Sequence, residues 1–484
     1  MPESAHNNSS RGWRASARLV IAAPRSGEGK TSITLGLIGA LAQRGLRIGT
    51  GKVGPDYLDT GWHALATGRA ARNLDVWTMG EAGVAAAFSA ASEGADVTVV
   101  EGVMGLFDGH RTGAAACSTA DVARLIEAPV VLVIDASRAS ASLAALALGF
   151  ATFDPRVRIG GVILNRFTEH RDRTAVDAAF ERAGIPVLGW LPSADDSALP
   201  SRHLGLVQAA EDAAAGRAAI ARLGEMVERH CDVDALLALA RSTEPLAPVP
   251  PTWAGLGAGA GAPAPRIAIA RDEAFAFTYA DNPEALASLG AEVVEFSPLA
   301  DAALPRGTDG VYLPGGYPEL FAEQLAGNAE MRASIAAAAQ VGVPIYAECG
   351  GMLYLLESLA DADGRELPMA GVLPARARMT VRLQRVGYVE ATLAAGGVLG
   401  EEGTVVRGHE FRYSACEPAA GQTPAWLVDG EPRGFVAGNV VASYLHLNFA
   451  GCPKVAAAFV AACRERAASR LADGAAHTDT GRTE

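Results

Sequence analysis

Apolar and polar positions alternate along the first half of the chain in a pattern typical of strands separated by helices. Short apolar runs that predict buried strands lie at residues 18–23, 46–50, 96–101, 129–135, 158–164, 186–191 and 204–207. The segments between them carry helical periodicity. This alternation predicts a mostly parallel sheet, whose ligands are expected at the C-terminal ends of the strands.

A second α/β pattern begins at Arg266, after a stretch rich in Pro, Gly and Ala that predicts a linker. Its predicted strands lie at 266–270, 291–297, 309–314 and 343–347, and its predicted helices at 277–290 and 352–360. The chain is therefore expected to contain a disordered N-terminus (1–15), a first domain (16–242), a linker (243–265), a second domain (266–466) and a disordered tail (467–484).

The stretch RLVIAAPRSGEGKTS, residues 18–32, joins the first strand to a helix and predicts a phosphate-binding loop. Its glycines allow backbone N–H groups to surround phosphate oxygens, and the helix N-terminus adds a positive dipole end. Lys30 is expected to reach the β- and γ-phosphates, and the Thr31 hydroxyl to bind Mg²⁺. Because Pro24 replaces the usual first glycine, a glycine-rich turn with an incidental lysine is the alternative. The candidate nucleotide-binding residues are Gly27, Gly29, Lys30, Thr31, Ser32 and, after the fifth strand, Asn165.

Four carboxylates follow two further strands of the first domain. Asp56 and Asp59 come after the second strand, Glu101 ends the third, and Asp108 lies in the loop that follows. An acid at the end of a strand is the usual second Mg²⁺ anchor opposite a phosphate-binding loop. The set predicts a catalytic acidic cluster, with Thr31, Asp56 and Glu101 as metal ligands. For each acid alone, a turn-forming or helix-capping role is the alternative.

Cationic side chains near the same strand ends suit an anionic substrate. Arg72, Arg202 and His203 are candidates, although each alone is also typical of a surface salt bridge. Lys52 and Tyr57 join them as substrate-binding candidates, because they flank the first pair of acids. The segment 118–121 is predicted to cap a helix.

Cys349 stands where a predicted strand runs into a predicted helix, in the segment YAECGGMLYL. Such a turn is typical of a nucleophile elbow, and we expect the helix N-terminus to lower the pKa of the thiol. The N–H groups of Gly350 and of the Gly315-Gly316 turn are candidates for an oxyanion hole. The alternative for Cys349 is a small buried apolar residue.

A nucleophilic cysteine needs a base. His446 ends an apolar run in SYLHLNF and is the first candidate, with a core histidine as the alternative interpretation. His409, in RGHEF, is the second candidate.

The formal net charge of −13 argues against a nucleic-acid partner, since no basic block is present to neutralise phosphates. The six cysteines show no C-x-x-C spacing, which argues against a zinc site or a disulfide framework. No signal peptide and no membrane span are predicted, so no membrane partner and a cytoplasmic location are expected.

Taken together, these residues resemble the cobyrinic or hydrogenobyrinic acid a,c-diamide synthase family of cobalamin biosynthesis. The matching stretches lie between residues 18 and 450 and are SGEGKTS, KVGPDYLD, ARNLDVW, VVEGVMGLFDG, STADVARL, GVILNR, LPSRHLGL, ARDEAFAFTYADN, LPGGYPEL, YAECGGMLYL, RGHEFRYS and SYLHLNF. The chain departs from the family pattern at Arg412 and Asn448, where histidines are expected.

The resemblance implies an α/β fold with two parts: a P-loop, dethiobiotin-synthetase-like parallel-sheet domain and a class I glutamine amidotransferase domain. It implies ATP- and Mg²⁺-dependent amidation of the a and c acetate groups of a corrin polycarboxylic acid, with L-glutamine as nitrogen donor. Lys30 and Thr31 would bind ATP and Mg²⁺, and the four acids would hold Mg²⁺ and the acyl-phosphate centre. Cys349 would be the glutaminase nucleophile and His446 its base. A homodimer is compatible with the sequence.

Three alternatives remain at this point. Cobyric acid synthase and a nickel-tetrapyrrole a,c-diamide synthase use the same chemistry on other substrates. A partition-type P-loop ATPase belongs to a different class and would lack the cysteine domain.

Overall fold

The computed structural model describes residues 17–110, 117–168, 173–193, 201–202, 205–206, 208–209, 211–257 and 262–479. The chain divides into two compact units at residue 250, inside the stretch predicted as a linker, and residues 77–80 group with the second unit. The disorder predicted for residues 1–15 falls outside the described residues. No helix in the described ranges is long and apolar enough to span a membrane.

The described part of the first unit is built around one parallel sheet. Its strands are β1 (Arg18–Ala22), β2 (Ile48–Val53), β3 (Arg72–Leu74), β4 (Val97–Glu101), β5 (Val130–Asp135), β6 (Ile159–Phe167) and β7 (Val187–Pro192), in the spatial order β3-β2-β4-β1-β5-β6-β7. A short hairpin, β8 (Ser201–Arg202) and β9 (Gly205–Leu206), lies outside this sheet. The predicted parallel sheet is confirmed, but β3 was missed, because three residues carry no periodicity. The strand predicted at 204–207 is wrong as a member of this sheet: in the described residues it is the two-residue β9, which pairs antiparallel with β8.

Helices cover both faces of this sheet, as expected for βαβ units. They are α1 (Lys30–Gln43), α2 (Leu58–Thr67), α3 (Val76–Ser92), α4 (Thr119–Leu125), α5 (Ser142–Phe153), α6 (Arg173–Ala183), α7 (Ala213–His230) and α8 (Val233–Arg241). The predicted cap at 118–121 is confirmed: the Ser118 hydroxyl accepts from the Asp121 N–H, and the Asp121 carboxylate accepts from the Ser118 N–H.

The register of the strands determines where the candidate functional residues of the first unit lie. Ile21 of β1 pairs with Glu101 of β4, and Lys52 of β2 pairs with the same Glu101 from the other side. The loop that follows β1, the end of β4 and the end of β2 therefore meet at one edge of the sheet.

The described part of the second unit has a central sheet and two smaller ones. Its strands are β10 (Arg266–Ala270), β11 (Glu292–Phe296), β12 (Gly310–Leu313), β13 (Ile345–Glu348), β14 (Leu356–Ala360), β15 (Glu366–Pro368), β16 (Leu373–Met379), β17 (Arg385–Leu393), β18 (Val405–Arg412), β19 (Ser414–Glu417), β20 (Trp426–Val428), β21 (Glu431–Arg433), β22 (Phe435–Ala437) and β23 (Val440–Ser443). The central sheet has the order β11-β10-β12-β13-β23-β22 and is parallel except for β22. The smaller sheets have the orders β15-β14-β16-β19 and β18-β17-β20-β21.

The helices of the second unit are α9 (Asp281–Ser288), α10 (Ala322–Gly327), α11 (Ala329–Gln340), α12 (Gly350–Leu355) and α13 (Pro453–Asp479), with a 3-10 turn at Pro318–Phe321. The helix predicted over 352–360 is wrong in its second half: α12 ends at Leu355 and β14 begins at Leu356. The leucines there follow a helical spacing, but Leu356 and Leu359 are buried in a sheet instead.

Helix α13 also differs from the disordered tail predicted from residue 467. It continues to Asp479. Val455, Phe459, Cys463 and Ala467 are all buried at helical spacing, so the apolar stripe that anchors the helix runs past residue 466.

Candidate functional site

The loop predicted to bind phosphate joins β1 to α1, as expected from the sequence. Gly27 and Gly29 adopt left-handed backbone angles, with φ of 85° and 95°. A Cβ atom at Gly29 would overlap the Asn165 amide, whose Nδ2 donates to the Glu28 carbonyl at 2.8 Å. Asn165 therefore supports the backbone of this loop, and Ser32 lies half-buried in the first turn of α1.

Lys30 is buried at the start of α1 and spans two loops. Its Nζ donates to the carbonyl of Met104 at 2.7 Å and to that of Arg25 at 3.3 Å. Burial and the nearby charge of Lys52 lower the pKa of Lys30. A buried ammonium that is bonded only to carbonyl oxygens is well placed to receive an anionic phosphate.

Thr31, Glu101, Lys52 and Asp59 form a connected cluster. The Thr31 hydroxyl donates to Glu101 Oε1 at 2.6 Å. Lys52 Nζ lies 2.8 Å from the same oxygen and 2.5 Å from Asp59 Oδ2. The sequence analysis named all four residues, but it did not predict that Lys52 bridges two of the acids.

Buried charges set the protonation of this cluster. Burial raises the pKa of Glu101, but Lys52 and His63 outweigh it and hold that pKa well below its usual range. Burial and the Glu101 charge raise the pKa of Asp59 to about 7, against the opposing effect of Lys52. Glu101 is therefore the firmly ionised acid of the pair.

His63 is a site residue that sequence reasoning missed. It is fully buried on α2, and its Nε2 lies 2.8 Å from Glu101 Oε2. The available signal was its spacing, since His63 stands four residues after Asp59 and so shares a helix face with it.

Asp56 and Asp108 make local contacts. Asp56 Oδ1 accepts from the Asp59 N–H at 2.7 Å, at the start of α2, and Asp108 Oδ2 accepts from the Gly105 N–H at 2.9 Å. These are the capping and turn-forming contacts that the sequence analysis kept as alternatives. Asp56 therefore adjoins the cluster through Asp59, and its negative charge acts on both Lys52 and Asp59. The catalytic roles of Asp56 and Asp108 stay predictions.

The predicted substrate residues are more scattered. Arg72 is buried in β3, and Tyr57 is half-buried at the start of α2. Arg202 lies in β8, but its side chain is outside the described part of the chain, and so is all of His203.

The donor set suits Mg²⁺ in combination with a nucleotide. Hydroxyl and carboxylate oxygens are the ligands that Mg²⁺ prefers, usually one or two carboxylates together with substrate phosphates. In the described ranges, no group of three or more His, Cys, Asp or Glu residues is arranged to hold a metal ion. Thr31 and Glu101 fit a site in which one carboxylate and one hydroxyl bind Mg²⁺ and the nucleotide phosphates complete its coordination.

In the second unit, Cys349 stands at a strained turn between β13 and α12. Its φ is 44° and its ψ −103°, angles that a residue with a side chain rarely adopts. The Cys349 N–H donates to the Ser443 carbonyl at 2.7 Å, which fixes the turn to β23. A Cβ atom at Gly350 would lie 2.9 Å from the Gly316 nitrogen, so the predicted oxyanion residues are close to one another.

The expected low pKa of the Cys349 thiol is wrong. Burial and the carboxylates of Glu319 and Glu410 raise that pKa to about 12, and the Gly350 N–H opposes them only weakly. Helix α12 has six residues, too short for a strong dipole. The resting cysteine is therefore a thiol and needs a base.

His446 and His409, the two candidate bases, are neighbours. Their backbones exchange hydrogen bonds of 2.9 and 3.1 Å. A Cβ atom at Gly315 would overlap the His446 ring, so the predicted oxyanion turn also borders this imidazole. Burial and His409 lower the pKa of His446 to about 3, and burial lowers that of His409 to about 4. The resting His446 is therefore neutral and able to accept a proton.

Glu348, directly before the cysteine, is a second residue that sequence reasoning missed. It is fully buried, and its Oε2 lies 3.8 Å from His446 Nδ1. Burial raises the pKa of Glu348 to about 7, while hydrogen bonds from Tyr346, Leu447 and Tyr312 oppose that rise.

The two departures from the family pattern have structural roles of their own. Arg412 donates to the Ser414 carbonyl at 2.9 Å, and its guanidinium lies 4.3 Å from the centre of the Tyr444 ring. Asn448 Oδ1 accepts from the Ala450 N–H at 2.9 Å and shapes the turn before α13.

Comparison with known families agrees with this division. Residues 19–207 match the model described as the CobQ/CobB/MinD/ParA nucleotide binding domain. Residues 266–453 match the CobB/CobQ-like glutamine amidotransferase domain. A nucleotide-binding domain and a glutamine amidotransferase domain in one chain define a glutamine-dependent, amide-forming ligase. The predicted two-part fold class is confirmed.

Individual relatives identify the family. Hydrogenobyrinate a,c-diamide synthase of Streptomyces coelicolor is 46% identical over 479 residues, which covers 92% of this chain and 97% of the relative. Cobyrinate a,c-diamide synthase of Syntrophotalea carbinolica is 46% identical over 457 residues, with coverage of 92% and 98%. The corresponding Salmonella typhimurium cobyrinate enzyme is 42% identical, with the same coverage. The chain belongs to the hydrogenobyrinate/cobyrinate a,c-diamide synthase family, as its motifs predict. These names agree with the main interpretation and not with its alternatives.

Proposed function

We propose that this protein uses ATP and glutamine to convert the a and c acetate carboxylates of cobyrinic or hydrogenobyrinic acid into amides. The observation that carries the proposal is the pairing, in one chain, of a Lys30–Thr31–Glu101 phosphate site with a Cys349 elbow. The names of relatives that align with nearly the whole chain support the corrin substrate.

The first unit activates the carboxylate. A carboxylate does not react with ammonia at neutral pH, but an acyl phosphate does. Transfer of the γ-phosphoryl group of ATP to the substrate carboxylate forms the acyl phosphate and ADP. Lys30 supplies positive charge for the transferring group. Thr31, Asp56 and Glu101 would hold Mg²⁺, which neutralises phosphate charge when bound. The remaining acids, Asp59 and Asp108, stay candidates for the acyl-phosphate centre.

The second unit supplies ammonia. The sulfur of Cys349 attacks the side-chain amide of glutamine while its proton moves to His446. The N–H groups of Gly350, Gly315 and Gly316 are proposed to stabilise the oxygen that becomes negatively charged. His446 then gives the proton to the leaving nitrogen, ammonia departs, and water releases glutamate from the thioester. A cytoplasmic location and a homodimer remain predictions.

Mass spectrometry of the products tests the whole proposal. The enzyme is incubated with ATP, Mg²⁺, glutamine and a panel of metal-free and cobalt-containing corrin acids. We expect two successive replacements of OH by NH₂, each with one ADP formed. Amidation at other carboxylates, or ADP formation without amide, contradicts the proposal.

Cys349→Ala separates the two half-reactions. We expect this variant to fold and to lose amidation with glutamine, while ammonium chloride at mildly alkaline pH still supports amidation. Retained glutamine activity would remove Cys349 from its proposed role. Loss of both activities in a folded variant would show that the two sites are not separable.

A further inference from the structure

We infer that Glu348 is a positioning residue that orients His446 and stabilises its protonated form during glutamine hydrolysis. This inference rests on the proposed roles of Cys349 and His446. It supplies the acidic third member that a cysteine–histidine pair ordinarily has.

The carboxylate of Glu348 is held in one orientation by three donors. Its Oε1 accepts from the Tyr346 hydroxyl at 2.5 Å and from the Leu447 N–H at 2.9 Å, and its Oε2 accepts from the Tyr312 hydroxyl at 2.9 Å. Oε2 is also the oxygen that lies 3.8 Å from His446 Nδ1. Both oxygens are therefore fixed, and one of them faces the imidazole.

The connection to His446 is also made through the backbone. Glu348 ends β13, where it pairs with Ser443 of β23, and His446 follows Ser443 by three positions. The bond from the Leu447 N–H holds the residue next to His446 against the carboxylate. The same strand end thus carries the nucleophile and the group that faces its base.

The buried charge of Glu348 is not neutralised by a lysine or arginine among the described residues. Glu348 is 0% exposed, and among the described residues it forms no ion pair with lysine or arginine. A buried acid without a cation is costly, since its charge is removed from water without compensation. A positive charge that forms next to it only during the reaction gives such an acid a use.

Asn448 does not supply the negative charge that a protonated His446 would need. The residue two positions after His446 is Asn448, an uncharged amide whose Oδ1 accepts from the Ala450 N–H. Glu348 does place a carboxylate within ion-pair distance of His446.

The chemical step balances without proton transfer to Glu348. His446 carries its resting proton on Nδ1, which points toward Glu348. As the Cys349 sulfur bonds to the glutamine carbonyl carbon, the thiol proton moves to Nε2 and gives an imidazolium. Glu348 stays a carboxylate and attracts that cation. The proton on Nε2 then moves to the nitrogen that leaves as ammonia, which restores the neutral ring.

Glu348→Gln tests the inference, because it keeps the shape and removes the charge. We expect kcat for glutamine hydrolysis to fall on the order of 10²–10⁴-fold, as when the acid of a catalytic triad is made neutral. KM for glutamine changes little, and amidation with ammonium chloride is retained. Glu348→Asp, which keeps the charge, recovers part of kcat.

Asp309→Asn is the matched control. Asp309 is likewise fully buried in this unit, but its carboxylate pairs with Arg470 at 2.8 and 3.0 Å. We expect the control to lower the melting temperature without lowering glutaminase kcat. A folded Glu348→Gln variant with no greater loss of kcat than this control overturns the inference.

Tyr312→Phe tests the role of Glu348 if Glu348→Gln does not fold. Loss of this hydroxyl removes a donor that favours the carboxylate, so the acid limb of the kcat–pH profile moves to higher pH. The titratable groups facing the Glu348–His446 pair are Tyr312, Tyr346, Cys349, His409 and Cys452. Of these, only Tyr312 bonds to the oxygen that faces His446. An acid limb that does not move overturns the inference.

His446→Ala and Cys349→Ala distinguish a failure of the proposed glutaminase site from a failure of the proposed role of Glu348. If either retains glutaminase activity, the proposed roles fail. If both lose it while Glu348→Gln does not, only the role of Glu348 fails.

Discussion

At the scale of single residues, the first unit concentrates opposite charges in a buried space. Lys52 and Glu101 are both almost fully buried, and their side chains lie 2.8 Å apart. Lys30 is nearby and lacks a carboxylate of its own, since it donates to two carbonyl oxygens. The two lysines therefore differ: Lys52 is paired with acids, and Lys30 is the cation that we propose for the phosphates.

Lys30→Ala is expected to abolish ADP formation and amidation with either nitrogen source. The loss is on the order of 10³-fold, because a preorganised charge is removed from the transferring phosphoryl group. A coupled ADP assay measures it. Lys454→Ala, at an exposed position, is the control. Near-normal ADP formation by a folded Lys30→Ala protein would return Lys30 to an incidental position in a glycine-rich turn.

Gly315→Ala is expected to damage glutamine hydrolysis alone. The new methyl group would overlap the His446 ring and displace it, and a small misplacement of a catalytic group costs on the order of 10²-fold in rate. Glutaminase activity is compared with amidation from ammonium chloride. Gly327→Ala is the control, since a Cβ there meets nothing within 4 Å. Equal loss of both activities would contradict the assignment.

Local motifs made several of these residues predictable, and distant contacts hid others. Lys30 and Thr31 stand together in one strand–loop–helix motif, and Cys349 stands in another. The roles of His63 and Glu348 depend on partners 38 and 98 residues away in the sequence: His63 contacts Glu101, and Glu348 lies beside His446. No pattern along the chain encodes such a pairing without the register of the sheets.

At the scale of elements, the turn between β13 and α12 stores strain at Cys349, the proposed nucleophile. Cys349 has a positive φ, and Gly351 approaches Leu313 so closely that a Cβ there would overlap its carbonyl. The turn keeps this shape because its backbone is bound to β23 and packed under β12. The strain thus positions the sulfur at the end of the central sheet.

Cys349→Gly is expected to be more stable than Cys349→Ala by about 1 kcal/mol. The strain of a side chain at this φ costs about 1–3 kcal/mol. It exceeds the roughly 0.4–1 kcal/mol by which alanine restricts the unfolded chain relative to glycine. Thermal unfolding measures the difference. At Cys452, which lacks a positive φ, the order should reverse. A higher melting temperature for Cys349→Ala would show that the turn is relaxed.

The parallel elements were predictable because each combines a continuous apolar strand with a following helix. The smaller antiparallel sheets were not. In β16 the buried positions Leu373, Ala375 and Ala377 do alternate with exposed ones, but two of the three are alanines, which give a weak apolar signal. In β18 the buried positions include Gly408 and Glu410, which hide the alternation entirely.

At the scale of the whole molecule, the two units have separate buried cores, and the proposed function assigns a separate ligand to each. A ligand stabilises the unit that binds it by mass action, by about 2.7 kcal/mol at one hundred times its dissociation constant. In calorimetry, a non-hydrolysable ATP analogue with Mg²⁺ should therefore raise the melting temperature of the first unit and leave that of the second unit unchanged. The Lys30→Ala protein should show a smaller rise. One transition that moves as a whole would show that the units unfold together.

Lys52 has a consequence for how the protein is handled and stored. It places a built-in cation between Glu101 and Asp59, so the acids are balanced before any metal arrives. Treatment with a chelator should leave the melting temperature unchanged. Lys52→Met should lower stability by about 3–5 kcal/mol, the usual cost of breaking a buried ion pair, and should make the melting temperature depend on added Mg²⁺. Because the chain supplies its own counter-ion, we expect it to fold without bound metal. It should also remain able to bind its nucleotide after purification in metal-free buffer.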